Sequence, residues 1–236
     1  MNERAAIEEK AASHPRAVNH ESYRWDGGLR GPIAEINELL LDVLRTAAAT
    51  TAVAATAGAT ATAVTGATGE AVPRLVSELR QSWCSLDRAS MQRLADCPYL
   101  LLDAGFTAPQ RWDAAPLSLD RHGAVMDGGA MLGYFGSSAG VALLRRTLSL
   151  AWHVARSNPL SARMMLGMSG ECAERIGASG LMHLEALAEM TPAWMAPRWE
   201  AQPLIWRQMI QAAIGGSDAA LRRVRLRGLQ LMAALW

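Results

Sequence analysis

SLAWHVARSNPLSARMMLGMSGECAERIGASGLMHLEALAEMTPAWMAPRW, residues 149–199, decides the fold class. Start and stop chemistry recurs through it at helical intervals. Asn158-Pro159 reads as the cap and first helical residue of a short helix, which Gly167 stops. Ser169 starts a second helix that Gly177 stops, Ser179 caps a third, and Thr191-Pro192 restarts the chain. Upstream, Ser137 or Ser138 caps a segment whose stripe is Val141, Leu144, Leu148 and Ala155, ending at Asn158. Downstream, Pro203 to Ile214 is amphipathic and closed by Gly215-Gly216, and Ser217-Asp218 caps a last helix running to Trp236. No run of alternating β-branched residues occurs in this half, so a sheet has nothing to be made from.

The N-terminal half follows the same grammar less regularly. Residues 1–30 read as a flexible tail, too charged for the apolar core of a secretory signal. A helical region is expected over 31–105. Gly31-Pro32 opens a segment with Ile33, Ile36, Leu40, Val43 and Leu44 on one face. Residues 46–69 carry no charge and consist largely of alanine, threonine and glycine, which suggests a low-complexity connector, with a weak amphipathic helix as the alternative. Spanning a bilayer needs about 20 residues of stronger apolar character, so no membrane segment is expected. Pro73 opens a helix with Leu75, Val76, Leu79 and Trp83 at helical spacing, Asp87 caps another towards Cys97, and a short fourth helix fits 98–104. Residues 106–136, with Pro109, Pro116 and several glycines, form an irregular linker and the best domain boundary before a C-terminal domain at 137–236. The expected fold is all-α: a multi-helix N-terminal region joined to a helical C-terminal domain.

Composition narrows the function. Half of the 236 residues are hydrophobic and the formal net charge is +1, which excludes general disorder and a wholly nucleic-acid-facing surface. Lys10 is the only lysine, so anion contacts would fall to arginine. Cys84, Cys97 and Cys172 form no C-x-x-C and no two histidines stand at i, i+4, so no metal or other cofactor is expected and the thiols read as free in a cytoplasmic protein.

Four patterns carry candidate chemistry. Gly136-Ser137-Ser138-Ala139-Gly140 matches G-x-S-x-G, the elbow that exposes a serine nucleophile in α/β-hydrolases. That elbow needs a parallel sheet and a downstream acid and histidine, whereas only His153 and His183 follow, both in predicted helices. A glycine-rich linker with a helix cap is the simpler reading, and no catalytic residue is assigned. The glycines from Gly128 to Gly140 lack the lysine of a phosphate-binding loop. Residues 169–190 are spaced like a helix-turn-helix, but the second helix carries Glu185 and Glu189 and no arginine, which suits an ordinary helical corner better than a base reader. Arg222, Arg223, Arg225 and Arg227 on the last helix suit contacts to phosphate or to an acidic partner, or serve simply as a solvated face. Trp194, Trp199 and Trp206 sit at core spacing.

The quoted stretch resembles FlhD, the D subunit of the flagellar master transcriptional regulator. The matching elements are Ala151, Ser161-Ala162, Leu166-Gly167, Ala173, Leu184, Leu187-Ala188-Glu189 and Arg198 followed by Trp199, in one ungapped run. With a looser continuation to the C-terminus, the resemblance covers about residues 142–236. It implies an FlhD-like all-α domain that forms a homodimer and works with a zinc-containing second subunit, binding DNA as part of that complex. The position of a cysteine that bridges two chains in the family corresponds to Met195, and residues 1–137 have no counterpart in it. The function expected is that of a non-enzymatic regulatory protein that self-associates and docks a partner. The alternatives are an interaction or scaffold module unrelated to DNA and, remotely, a serine hydrolase through Ser138.

Overall fold

The computed structural model describes residues 27–56, 73–112, 135 and 138–234, and these are mostly helical. The helices are α1 (Gly27–Thr56), α2 (Arg74–Glu78), α3 (Arg80–Cys84), α4 (Arg88–Ala95), α5 (Ser138–Ser157), α6 (Pro159–Leu166), α7 (Gly170–Ala178), α8 (Leu181–Met190), α9 (Pro203–Ile214) and α10 (Asp218–Ala233), with 3-10 turns at Pro109–Trp112 and Pro192–Trp194. No described helix is long and apolar enough to cross a membrane.

Local chemistry sets most helix starts. Asp87, Asn158, Ser169 and Ser217 each accept a hydrogen bond from the backbone N–H three residues on, removing one orphan donor from the first turn. Gly167 ends α6 in the left-handed conformation, at φ 65°. Elsewhere the boundaries move. α1 begins four residues before Gly31, so Pro32 lies inside it, on the exposed side. The connector expected from residue 46 is helical as far as Thr56, with Ala48 buried, because the apolar face of α1 continues onto the core; residues 57–69 lie outside the described part. Gly177 does not stop α7, which runs to Ala178; Ser179 closes that helix and Gly180 is the N-cap of α8. The helix expected from Pro73 is two short ones, broken at Leu79.

The short helix expected over 98–104 is absent. This stretch is an extended strap, and its residues 102 and 103 pair antiparallel with Pro197 and Ala196 in a two-stranded sheet, β1 (Leu102–Asp103) with β2 (Ala196–Pro197). The strap is held by distant partners. Leu100 N donates to Met165 O at 2.8 Å, Arg198 N to Leu101 O at 2.8 Å, and Ser169 N to Phe106 O at 2.9 Å. Buried Asn37 of α1 accepts from Leu101 N at 2.8 Å and donates to the carbonyls of Ala95 and Tyr99 at 3.1 and 3.0 Å. Backbone groups satisfied this way have no call on an i to i−4 helical partner.

One hydrophobic core runs from α1 to α10. The stripe Ile33, Ile36, Leu40, Leu41, Leu44 and Ala48 of α1 packs on α3 and α4, which also receive α9; Trp83 of α3 meets Trp206 of α9 with ring centroids 5.5 Å apart. α5 carries α6, α7 and α8. Gly228 lets α10 close on Tyr99: a Cβ at that glycine would stand 2.0 Å from the phenol oxygen. Residues on the two sides of the expected 106–136 boundary therefore share a core; residues 113–134 and 136–137 lie outside the described part. Of the tryptophans expected in the core, Trp206 is fully buried and Trp194 and Trp199 are half-buried.

Candidate functional site

Most of the family-like residues turn inward. Ala151, Ala162, Leu166, Ala173, Leu184, Leu187 and Arg198 are buried, while Ser161 and Trp199 are half-buried. Arg198 is the least usual of them. Its Nε donates to Leu100 O at 2.7 Å, its Nη2 donates to Leu166 O, and its own carbonyl accepts from Trp206 Nε1 at 2.6 Å. Burial pulls the guanidinium below its ordinary pKa, while Asp103 and Tyr99 work the other way. The group is an internal clamp between the strap and the end of α6, with no solvent-facing surface for a ligand. Met195, which the resemblance alone would set at the place of a bridging cysteine, is also fully buried.

The four arginines of α10 do not form one patch. At about 100° per residue, Arg222 and Arg225 lie about 60° apart, Arg223 and Arg227 about 40° apart, and the two pairs about 150° from one another. Arg223 and Arg227 flank a shallow groove over α9 with Gln208, Gln211, Ala212 and Val224, and Arg227 donates to Gln208 Oε1 at 3.0 Å. Arg222 and Arg225 instead line a cleft of about 350 Å³ with Arg93, Asp96, Asp218 and Leu221. Arg225 is the most buried of the four, and its Nη2 donates to Arg93 O at 2.6 Å. Asp96 is gripped by both arms of Arg30 from α1, at 2.7 and 2.5 Å, and this pairing first, then the Arg225 charge, holds its carboxyl below the ordinary range. Next to the cleft, burial pushes the Cys97 thiol up to about 11. Arg30, Arg93 and Asp96 have no sequence motif to announce them, because Arg93 meets Arg225 across 132 residues of chain, Asp96 meets it from the end of another helix, and Arg30 joins only through Asp96.

The α7–α8 corner lies on α5. α8 buries Leu184, Leu187 and Ala188 and leaves Leu181, Met182 and Met190 exposed, Met182 at 77 %. Glu189 is exposed beside them and pairs with Arg145 of α5 at 2.9 Å. The outer surface of this helix is therefore apolar and acidic.

Ser138 sits exposed at the start of α5. His153 lies fifteen residues along the same helix, an axial separation of about 22 Å, far beyond the reach of a nucleophile–base pair. His183 belongs to α8. Gly140 has a packing role, because a Cβ there would stand 2.0 Å from the Phe135 carbonyl oxygen. Among the described residues no group of three His, Cys, Asp or Glu side chains gathers in a metal-binding arrangement.

Compared with protein families, characterised proteins and solved structures, the chain matches none.

Proposed function

We propose that this chain is a regulatory, non-enzymatic protein that acts through protein–protein contacts, self-associating and docking a second subunit in transcriptional control, with DNA bound only by the complex. The observation that carries the reading is the outer face of α8. Leu181, Met182 and Met190 are three of the eight large hydrophobic side chains exposed among the described residues, and they share one ten-residue helix with Glu189. Methionine-bearing helical faces adapt to a partner surface, and the carboxylate disfavours direct contact with phosphates. The resemblance of residues 149–199 to FlhD supports the transcriptional part of the reading.

The separation of the α10 arginines into two pairs favours a second reading, an interaction module unrelated to DNA, because neither pair alone provides a continuous basic track. One experiment distinguishes them. The full chain is used as bait in the native lysate, beside Met182→Glu, and molar mass is measured by light scattering. Recovery of a regulator subunit with promoter DNA, held at low salt and released at high salt, and lost with Met182→Glu, supports the first reading. A partner set unrelated to transcription, still lost with Met182→Glu, supports the second. A monomer whose captured set does not change with Met182→Glu overturns both.

A further inference from the structure

We infer that the cleft between α4 and the start of α10 is a binding site for a phosphomonoester group. Three arginines, Arg93, Arg222 and Arg225, line it against two aspartates, Asp96 and Asp218. Asp96 already carries the two-armed contact from Arg30 at 2.7 and 2.5 Å, and so reaches Arg225 only at 3.6 Å. Asp218 is 86 % exposed at the mouth and stands 3.6 Å from Arg93, beyond hydrogen-bonding distance. Arg222 is exposed and forms no ion pair or hydrogen bond among the described residues. The concavity thus gathers three guanidinium groups around two carboxylates, of which Asp96 is already held by Arg30 from α1 and Asp218 is loosely held. Excess positive charge in a concave site concentrates anions.

The site is also largely preorganised. Arg225 is fixed by its bond to the Arg93 carbonyl and is only 19 % exposed, so little side-chain freedom remains to be lost on binding. Gly216, at φ 70°, leaves room for Arg93: a Cβ there would stand 3.2 Å from Nη1. The sixteen-residue α10 starts at Asp218 and adds the partial positive charge of its first turn. A dianionic phosphate with three terminal oxygens matches several forked donors converging from two helices, and about 350 Å³ holds such a group with a small substituent. Asp218 acts as a competing lid anion that the ligand displaces. This site is independent of the α8 surface and stands or falls without it.

A soluble small molecule and a lipid headgroup both present a phosphomonoester, and the test separates these sources. The full chain is titrated with inorganic phosphate and with glycerol 3-phosphate by calorimetry at constant ionic strength, and is sedimented with phosphatidylcholine vesicles with or without phosphatidic acid. Arg222→Ala removes an exposed side chain that pairs with none of the described residues and should leave the fold intact; affinity should fall by about 10-fold. Arg227→Ala, in the other groove, should change affinity less than twofold. Asp218→Asn should tighten binding several-fold, whereas a purely structural ion network would gain nothing from losing this carboxylate. Saturable binding of the soluble phosphates with this pattern assigns a soluble ligand, and sedimentation that requires phosphatidic acid and is lost with Arg222→Ala assigns a headgroup. Absence of saturable binding in both arms, or equal effects of Arg222→Ala and Arg227→Ala, overturns the site.

Discussion

The guanidinium of Arg198 occupies the space that a side chain on Gly167 would need: a Cβ there would stand 2.7 Å from Nη1 and 2.8 Å from both Cζ and Nη2. Gly167 is also left-handed, at φ 65°, so the glycine serves the end of α6 and the seating of Arg198 together. Gly167→Ala should therefore strain the backbone and push Arg198 off the carbonyls of Leu100 and Leu166. We expect a loss of about 2–4 kcal/mol in urea denaturation, and a smaller incremental loss when the substitution is made in an Arg198→Ala background. Full additivity would show that the two residues do not share a site.

Asn37 carries three polar contacts, two to the strap and one to the end of α4, from a position without solvent exposure. Asn37→Leu should strand a buried N–H and two buried carbonyls, destabilising the protein by about 3–5 kcal/mol. Asn37→Asp should be worse at neutral pH, because a carboxylate would face the Ala95 and Tyr99 carbonyls. Its folded pKa would be raised, so stability relative to Asn37→Leu should recover as pH falls and the group becomes neutral. A flat pH dependence of that difference would contradict the clamp.

The thiols should separate by burial. Cys84 is exposed, while Cys97 and Cys172 are buried, and desolvation raises the pKa of both buried thiols, that of Cys97 to about 11. Titration of the native protein with an aromatic disulfide reagent at pH 8 should release one equivalent rapidly and the other two only on unfolding, with the rapid phase lost in Cys84→Ser.

The Arg30–Asp96 pair joins α1 to the end of α4, and it lowers the Asp96 carboxyl from its ordinary 3.8. A depressed folded pKa contributes stability that is fully present above 3.8 and is lost as pH falls through the lower folded value. Wild type should therefore lose stability relative to Asp96→Asn over the interval below pH 4. The effect should be small, since both side chains are more than one third exposed, and it should shrink in high salt. A difference in melting temperature that stays constant from pH 6 to pH 2.5 would remove Asp96 as the titrating group.

What could be read in the residues alone was the local part. Asp87, Asn158, Ser169 and Ser217 cap helices because their side chains bond backbone groups three residues away, and the stripe from Ile33 to Leu44 needs only the period of a helix to predict an inward face. The all-α class followed from these. What only the tertiary structure decided was everything whose partner is distant in the chain. Residues 98–103 are extended because Asn37, Met165 and Arg198 supply their backbone partners. Arg198 is an internal clamp rather than a surface charge, and four arginines close in sequence divide into two pairs, one of them joined in its cleft by Arg93 of α4. A capping residue answers to its own turn of helix; a buried guanidinium or an amide clamp answers to carbonyls that come within reach only when the chain has packed.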